Sequence, residues 1–162
     1  MTTLSLEAVR LQDLGPLVRV RFGLHPDHED LLRESGETVH PPLDALAMVD
    51  TGSSVVVLEP GSFGRLGILP TESLWLTSPA GVRQSYPSYV GHLVLQGASG
   101  EVSVVARAVE LGGLGHVGAL LGRNVLAHGR FLYDGRSGAC ALVLRGVEVP
   151  MVPPVSEGAS PI

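Results

Sequence analysis

Asp50-Thr51-Gly52-Ser53 is the stretch of the chain with the clearest potential for chemistry. It lies between Leu46-Ala47-Met48-Val49 and Val55-Val56-Val57, so a carboxylate stands where one apolar strand ends and another is about to begin. An acid beside buried apolar surface is costly to ionise and is kept for a partner or for chemistry. Thr51 and Gly52 let the backbone turn sharply beside Asp50. Ser53 is placed to donate a hydrogen bond to the carboxylate. Asp-Thr-Gly alone would arise by chance in about one chain in twenty of this length. The apolar flanks, and a second matching segment, therefore carry the weight.

Other groupings compete with it. His25, Asp27, His28, Glu29 and Asp30 have the chemistry of metal ligands, and the two histidines stand three apart. Pro26 between them disfavours a regular helix, however, and a solvated acidic loop is the simpler reading. No metal and no cofactor is expected. Gly113, Gly115 and Gly118 form a G-x-G-x-x-G after a strand-like run, with Asp134 at a distance suited to a ribose contact. That loop belongs to repeated βαβ units, and too little chain follows Gly118 to build them. Cys140 sits in an apolar alternation and reads as a small core or interface residue. His92, His116 and His128 are scattered, and read as structural or exposed.

The elements that must hold these residues are mostly strands. The chain has 162 residues, 44% of them hydrophobic, with 21 Gly and 12 Pro but only three Phe, three Tyr and one Trp, so its core must come mainly from Val and Leu. Valine-rich runs punctuated by Gly and Pro favour an all-β domain. Alternation marks strands at 4–10 and 16–23. Residues 24–42 are a polar, proline-flanked excursion with a helical turn near Glu29–Glu34. A short helix closed by Gly67 fits 59–68. Hairpins fit 74–86, with a Pro79-Ala80-Gly81 tip, and 90–109. A final hairpin fits 131–144. One domain over 1–146, with 24–42 exposed and 147–162 a proline-rich disordered tail, is the expected organisation.

The net charge of −5, with every basic residue an Arg, leaves no basic face for nucleic acid. A single cysteine permits no internal disulfide. The first residues lack the blocks of a secretory signal, and no apolar run is long enough for a membrane helix. A soluble, cytoplasmic protein with no membrane partner is expected.

A second segment follows, Ala119-Leu120-Leu121-Gly122-Arg123-Asn124-Val125-Leu126. Two apolar residues before Gly-Arg-Asn, together with the upstream apolar-Asp-Thr-Gly-Ser, resemble the paired motifs of the retropepsin-like family of single-domain, retroviral-type aspartic peptidases. The resemblance covers roughly residues 16–145. It implies an all-β acid-protease fold: a closed, barrel-like sheet with a flap hairpin and one short helix. In it Asp50 is the catalytic carboxylate, Thr51, Gly52 and Ser53 complete the active-site loop, and Thr77, Pro79 and Gly81 belong to the substrate-binding flap. Gly122, Arg123 and Asn124 are structural support. Ser54 stands where relatives carry an acid for the arginine, so the partner of Arg123 is open. The chemistry needs two facing carboxylates that share a proton, and a chain with one Asp-Thr-Gly supplies them only as a homodimer. Residues 4–10 and 139–144 are the expected pairing strands, and a peptide or protein is the expected substrate. Two other readings are a catalytically idle dimer that binds extended peptides and a nucleotide-binding α/β protein.

Overall fold

The computed structural model describes residues 6–78 and 80–152, without the side chains of 6–9. Its elements in chain order are α1 (Leu6–Leu14), β1 (Leu17–Gly23), α2 (Pro26–Glu34), β2 (Leu43–Val49), β3 (Val56–Leu58), α3 (Ser62–Leu66), β4 (Glu72–Thr77), β5 (Arg83–Gly97), β6 (Gly100–Glu110), β7 (Ala119–Leu121), α4 (Arg123–Leu126), β8 (Gly129–Asp134), β9 (Ala139–Leu144) and β10 (Val147–Val149).

Strict alternation in Leu17-Val18-Arg19-Val20-Arg21-Phe22-Gly23 sends Val18, Val20 and Phe22 inward and both arginines outward. The same period governs the long β5 and β6. Six strands join in the order β1-β2-β7-β3-β6-β5, and β5 returns to β1 through Arg21↔Val94 and Gly23↔His92, closing a barrel. The pairs β2–β7 and β3–β6 are parallel and the rest antiparallel. The fold is therefore the expected all-β closed barrel. Closure leaves no open edge along this ring. β3, in the middle, is buried on both faces: Val56 and Leu58 join the main core, while Val57 joins Val55 and Val109 in a second cluster outside the barrel wall. Phe63 of α3 plugs the main core, stacked on Tyr89 with ring centroids 3.8 Å apart and edge-on to Phe22. β4 extends β5 as a hairpin. β8, β9 and β10 form a separate three-stranded sheet.

Several expectations are corrected. Residues 4–10 were expected as a strand, but Leu6–Leu14 is helical. Leu-Glu-Ala-Val-Arg-Leu-Gln-Asp-Leu is rich in strong helix formers, and Gly15, with φ of 75°, ends the helix by donating its N–H to Leu11 O. Residues 147–152 are part of the fold, not a tail. Arg145 and Gly146, both with positive φ, make a two-residue turn into β10, Val149 is buried, and Ala98 N and Val152 N bond to Glu148 O and Leu17 O. Residues 153–162 lie outside the described part. Within 24–42 the excursion carries a nine-residue helix. Pro26 begins it rather than breaking it. His25 is the N-cap, its Nδ1 accepting from Asp27 N, and Glu29 and Asp30 bind Arg33. Among the described residues, no group of three or more ligating side chains is placed to hold a metal ion, and no helix is long and apolar enough to cross a membrane.

The glycine-rich loop at 112–118 leads into a strand, not a helix, with Gly113 and Gly115 at positive φ. An all-β barrel has no βαβ unit to place a helix N-terminus at a dinucleotide, so the nucleotide-binding α/β reading falls.

Candidate active site

β2 and β7 run parallel, Val49 beside Leu121, and each continues directly into one of the two candidate segments. Asp50 follows Val49, and its N–H still donates to Leu121 O at 3.0 Å. The ladder thus fixes the backbone up to the residue that carries the carboxylate. The chain then turns. Gly52 N donates to Asp50 Oδ1 at 2.8 Å and Ser53 N to Asp50 O at 3.3 Å, an Asx-type turn in which the acid organises its own loop. A Cβ on Gly52 would stand 3.0 Å from Asp50 Oδ1, so the contact is tight. Asp50 is half-buried, and Thr51 and Gly52 are exposed.

Ser53 behaves differently from the expectation. Its hydroxyl donates to Val55 O at 2.7 Å, not to the Asp50 carboxylate. The turn carries the Ser53 side chain onward towards β3, and the backbone N–H of Gly52 takes the place at the carboxylate.

Beyond Leu121, Gly122 crosses the start of β3 so closely that a Cβ would lie 2.2 Å from Val55 O and 2.7 Å from Val55 N. Only a residue without a side chain fits that crossing. It brings α4 onto the Asp50 loop. Arg123 N donates to Ser53 O and Asn124 N to Ser54 O. The Arg123 Nη1 donates to Thr51 O at 2.8 Å and Gly52 O at 3.0 Å. The partner left open by Ser54 is therefore the loop's own pair of carbonyls, which a guanidinium satisfies with charge-assisted bonds. Asn124 Nδ2 ties the same helix to Arg107 O of β6 at 2.8 Å.

The β4–β5 hairpin packs on the strand that leaves this loop. Leu74, Leu76 and Tyr86 meet the cluster of Val55, Val57 and Val109, joined by Leu111, Leu114 and Leu120. Glu72 of β4 is ion-paired with Arg107. At the tip, Ser78 N bonds to Val82 O and Gly81 N to Ser78 O, with Gly81 at φ 80°. Thr77 and Gly81 are exposed. Pro79 lies outside the described residues. The apolar underside of this hairpin was not legible as part of the site. Its signal is the alternation Leu74, Leu76 on one face with Trp75 on the other.

Asp50 is not among the residues lining three cavities on the described residues. One of them, a groove of about 460 Å³ edged by Arg19, Arg21, Asp44 and Glu101, lies on the outer face of β1, β2 and β5. The Asp50 loop is braced by Arg123, with Thr51 and Gly52 exposed beside the half-buried Asp50.

No protein-family model and no curated protein sequence matches the chain. Among solved structures it is similar to the retroviral protease-like domain of Ddi1 from Leishmania major, at 13% identity and a TM-score of 0.45, over 86% of this chain and 97% of that one.

Proposed function

We propose that the protein is an aspartic endopeptidase, active as a homodimer in which Asp50 of each subunit supplies half of the catalytic pair. The observation that carries this reading is the bracing of the Asp50 loop. The carboxylate accepts from Gly52 N, while Arg123 ties down the carbonyls of Thr51 and Gly52. A merely solvated surface acid needs no such clamp. Chemistry that depends on where two carboxylates meet does.

In the dimer the two carboxylates share one proton, because like charges at contact distance cannot both ionise. The charged one takes a proton from a water as that water attacks the peptide carbonyl. The protonated one gives its proton to the carbonyl oxygen, which becomes a hydroxyl of the tetrahedral diol. The C–N bond then breaks as the amine takes the proton gained from water and the diol returns a proton to the pair. Thr51 and Gly52, exposed beside Asp50, are the residues positioned to meet the partner loop and the substrate backbone. Ser53 holds the turn through Val55 O and is not a donor to the carboxylate. The hairpin of Thr77 and Gly81 lies over the apolar cluster next to the loop and serves as the flap over an extended peptide.

The test is cleavage of a mixed peptide library from acid to neutral pH by the native chain and by Asp50→Asn. Asp50-dependent cleavage, strongest at acid pH and lost as both carboxylates become charged, supports the peptidase. A well-folded dimer that retains peptide without cutting it would make the protein a binding module instead.

A further inference from the structure

The glycine-rich loop at 112–118 walls a gap in the barrel. β2 bonds to β1 through its odd-numbered residues, Val49 N donating to Pro16 O. Its even-numbered residues turn their peptide groups the other way, as Asp50 N does towards Leu121 O. On that side β7 pairs only with residues 47–49 of β2. Ahead of β7, Gly118 N still donates to Leu46 O, and the loop is then drawn off by His116, whose Nε2 donates to Leu14 O at 3.0 Å. An opening is left between the start of β2 and the end of β3. The N–H and C=O of Asp44 face it by alternation.

A cavity of about 330 Å³ fills this opening, and small-ligand sites begin at about 300 Å³. The buried Phe22 and Leu58 form its floor, and the exposed Glu59, Arg65 and His116 stand at its rim. Asp44 lines it too, but its carboxylate is taken by Arg21 at 2.9 Å. Glu59 is different. Its backbone is bonded to Gly118 and Ser62, yet its carboxylate has no partner among the described residues. A Cβ on Gly118 would lie 4.0 Å from Glu59 Oε2 and 3.4 Å from Ala45 Cβ, so the acid stands at the loop's wall of the cavity. The Arg65 guanidinium, on α3, donates to Ser62 Oγ at 3.3 Å and is paired with no acid among the described residues. One cavity thus holds an acid and a base, each without a counter-charge.

An extended peptide answers all of these features together. Its main chain adds to the strand edge at Asp44, an apolar side chain rests on Phe22 and Leu58, and its two charged ends meet Glu59 and Arg65. A phosphate suits Arg65 but is repelled by Glu59. We infer that this cavity is a second binding site, taking a short extended peptide with a free ammonium towards Glu59 and a free carboxylate towards Arg65. Asp50 does not line it, so the site stands independently of the peptidase reading.

The test is calorimetric titration of the full chain with the tripeptide Ala-Leu-Ala in three forms: the free zwitterion, the N-acetyl derivative and the C-terminal amide. Each block should weaken binding about tenfold, the worth of one hydrogen bond to a charged group. In Glu59→Gln the free and acetylated peptides should bind alike, while the amide keeps its penalty. In Arg65→Gln the amide should lose its penalty and the acetyl group keep its own. Both side chains are exposed, so the variants should keep the barrel, which circular dichroism checks. No saturable binding of the free tripeptide, indifference to both blocks, or penalties that persist in both variants would overturn the inference. Asp50→Asn should bind the tripeptide as the native chain does. Loss of binding in that variant would put the peptide at the catalytic loop and discard the second site. Capping-dependent binding by a chain that never cleaves peptides discards the peptidase and leaves this site standing.

Discussion

A methyl group at Gly122 would sit 2.2 Å from Val55 O, and its three close neighbours are all backbone atoms of Val55 that cannot swing aside. The Gly122 φ of −85° suits any residue, so the constraint is purely one of space. Gly122→Ala should therefore cost about 2–3 kcal/mol by forced separation of β7 from β3, read as a lower denaturant midpoint. It should also reduce cleavage more than stability alone explains, because α4 carries the clamp on the Asp50 loop. Ser53→Ala makes the contrasting case. Its hydroxyl bonds to Val55 O, so the change should cost about 1 kcal/mol of stability and leave the pH profile of cleavage where it was. A shifted profile would return Ser53 to the carboxylate. The placement of Asp50 at the end of a strand, the close approach at Gly122 and the brace from Arg123 were legible from residue type and spacing, because an acid after an apolar strand and a glycine before an arginine state their needs locally. The choice made by the Ser53 hydroxyl was not, since Val55 O comes into range only once the turn has closed.

At the scale of elements, the strands of the barrel were legible because their period of two runs over seven to fifteen residues. The misreadings fall where a local pattern was short. The 4–10 alternation is also a sequence of good helix formers, and the three-residue β10 is hidden among prolines. β10 matters to stability nonetheless. Val147 lies against Gly97, where a Cβ would meet it at 2.1 Å, and Val149 is fully enclosed. A chain ending at Arg145 should lose several kcal/mol of hydrophobic burial and bind a hydrophobic dye, a loss that a dispensable tail would not produce. The helix α2 offers a different lever. His92 on β5 faces His25, the N-cap of α2, with ring centroids 5.2 Å apart. Burial first, and His25 second, hold the His92 imidazole below its usual value near 6.5, against the opposing pull of Glu29 and Glu101. The neutral ring is thus the folded form. The unfolded chain takes up that proton at higher pH than the folded one, so stability is intact at neutral pH and falls as pH drops below 6.5. His92→Gln should flatten this part of the curve in thermal melts at neutral and mildly acid pH. An unchanged slope would place the acid sensitivity elsewhere.

For the molecule as a whole, the decisive property is that one chain supplies one carboxylate. Composition and charge bear on this only indirectly, because nothing in a single sequence states how many copies must meet. On the proposed reading the loop clamped by Arg123 is half of a site, and half a site has a particular kinetic signature. If the chain is a homodimer, mixing native with Asp50→Asn chains and allowing exchange draws a share of the native subunits into dimers that hold a single ionisable aspartate. With equal amounts and random pairing, about a quarter of the dimers are wholly native and about half are mixed. If the pair must share a proton between two carboxylates, the mixed dimers are inactive. The activity per native chain should then fall to about half as exchange proceeds, and further as the variant is put in excess. If one Asp50 could act alone, adding the variant would leave the activity per native chain constant. Following cleavage during such a mixing series therefore decides between a shared site and an independent one, without requiring any knowledge of the natural substrate.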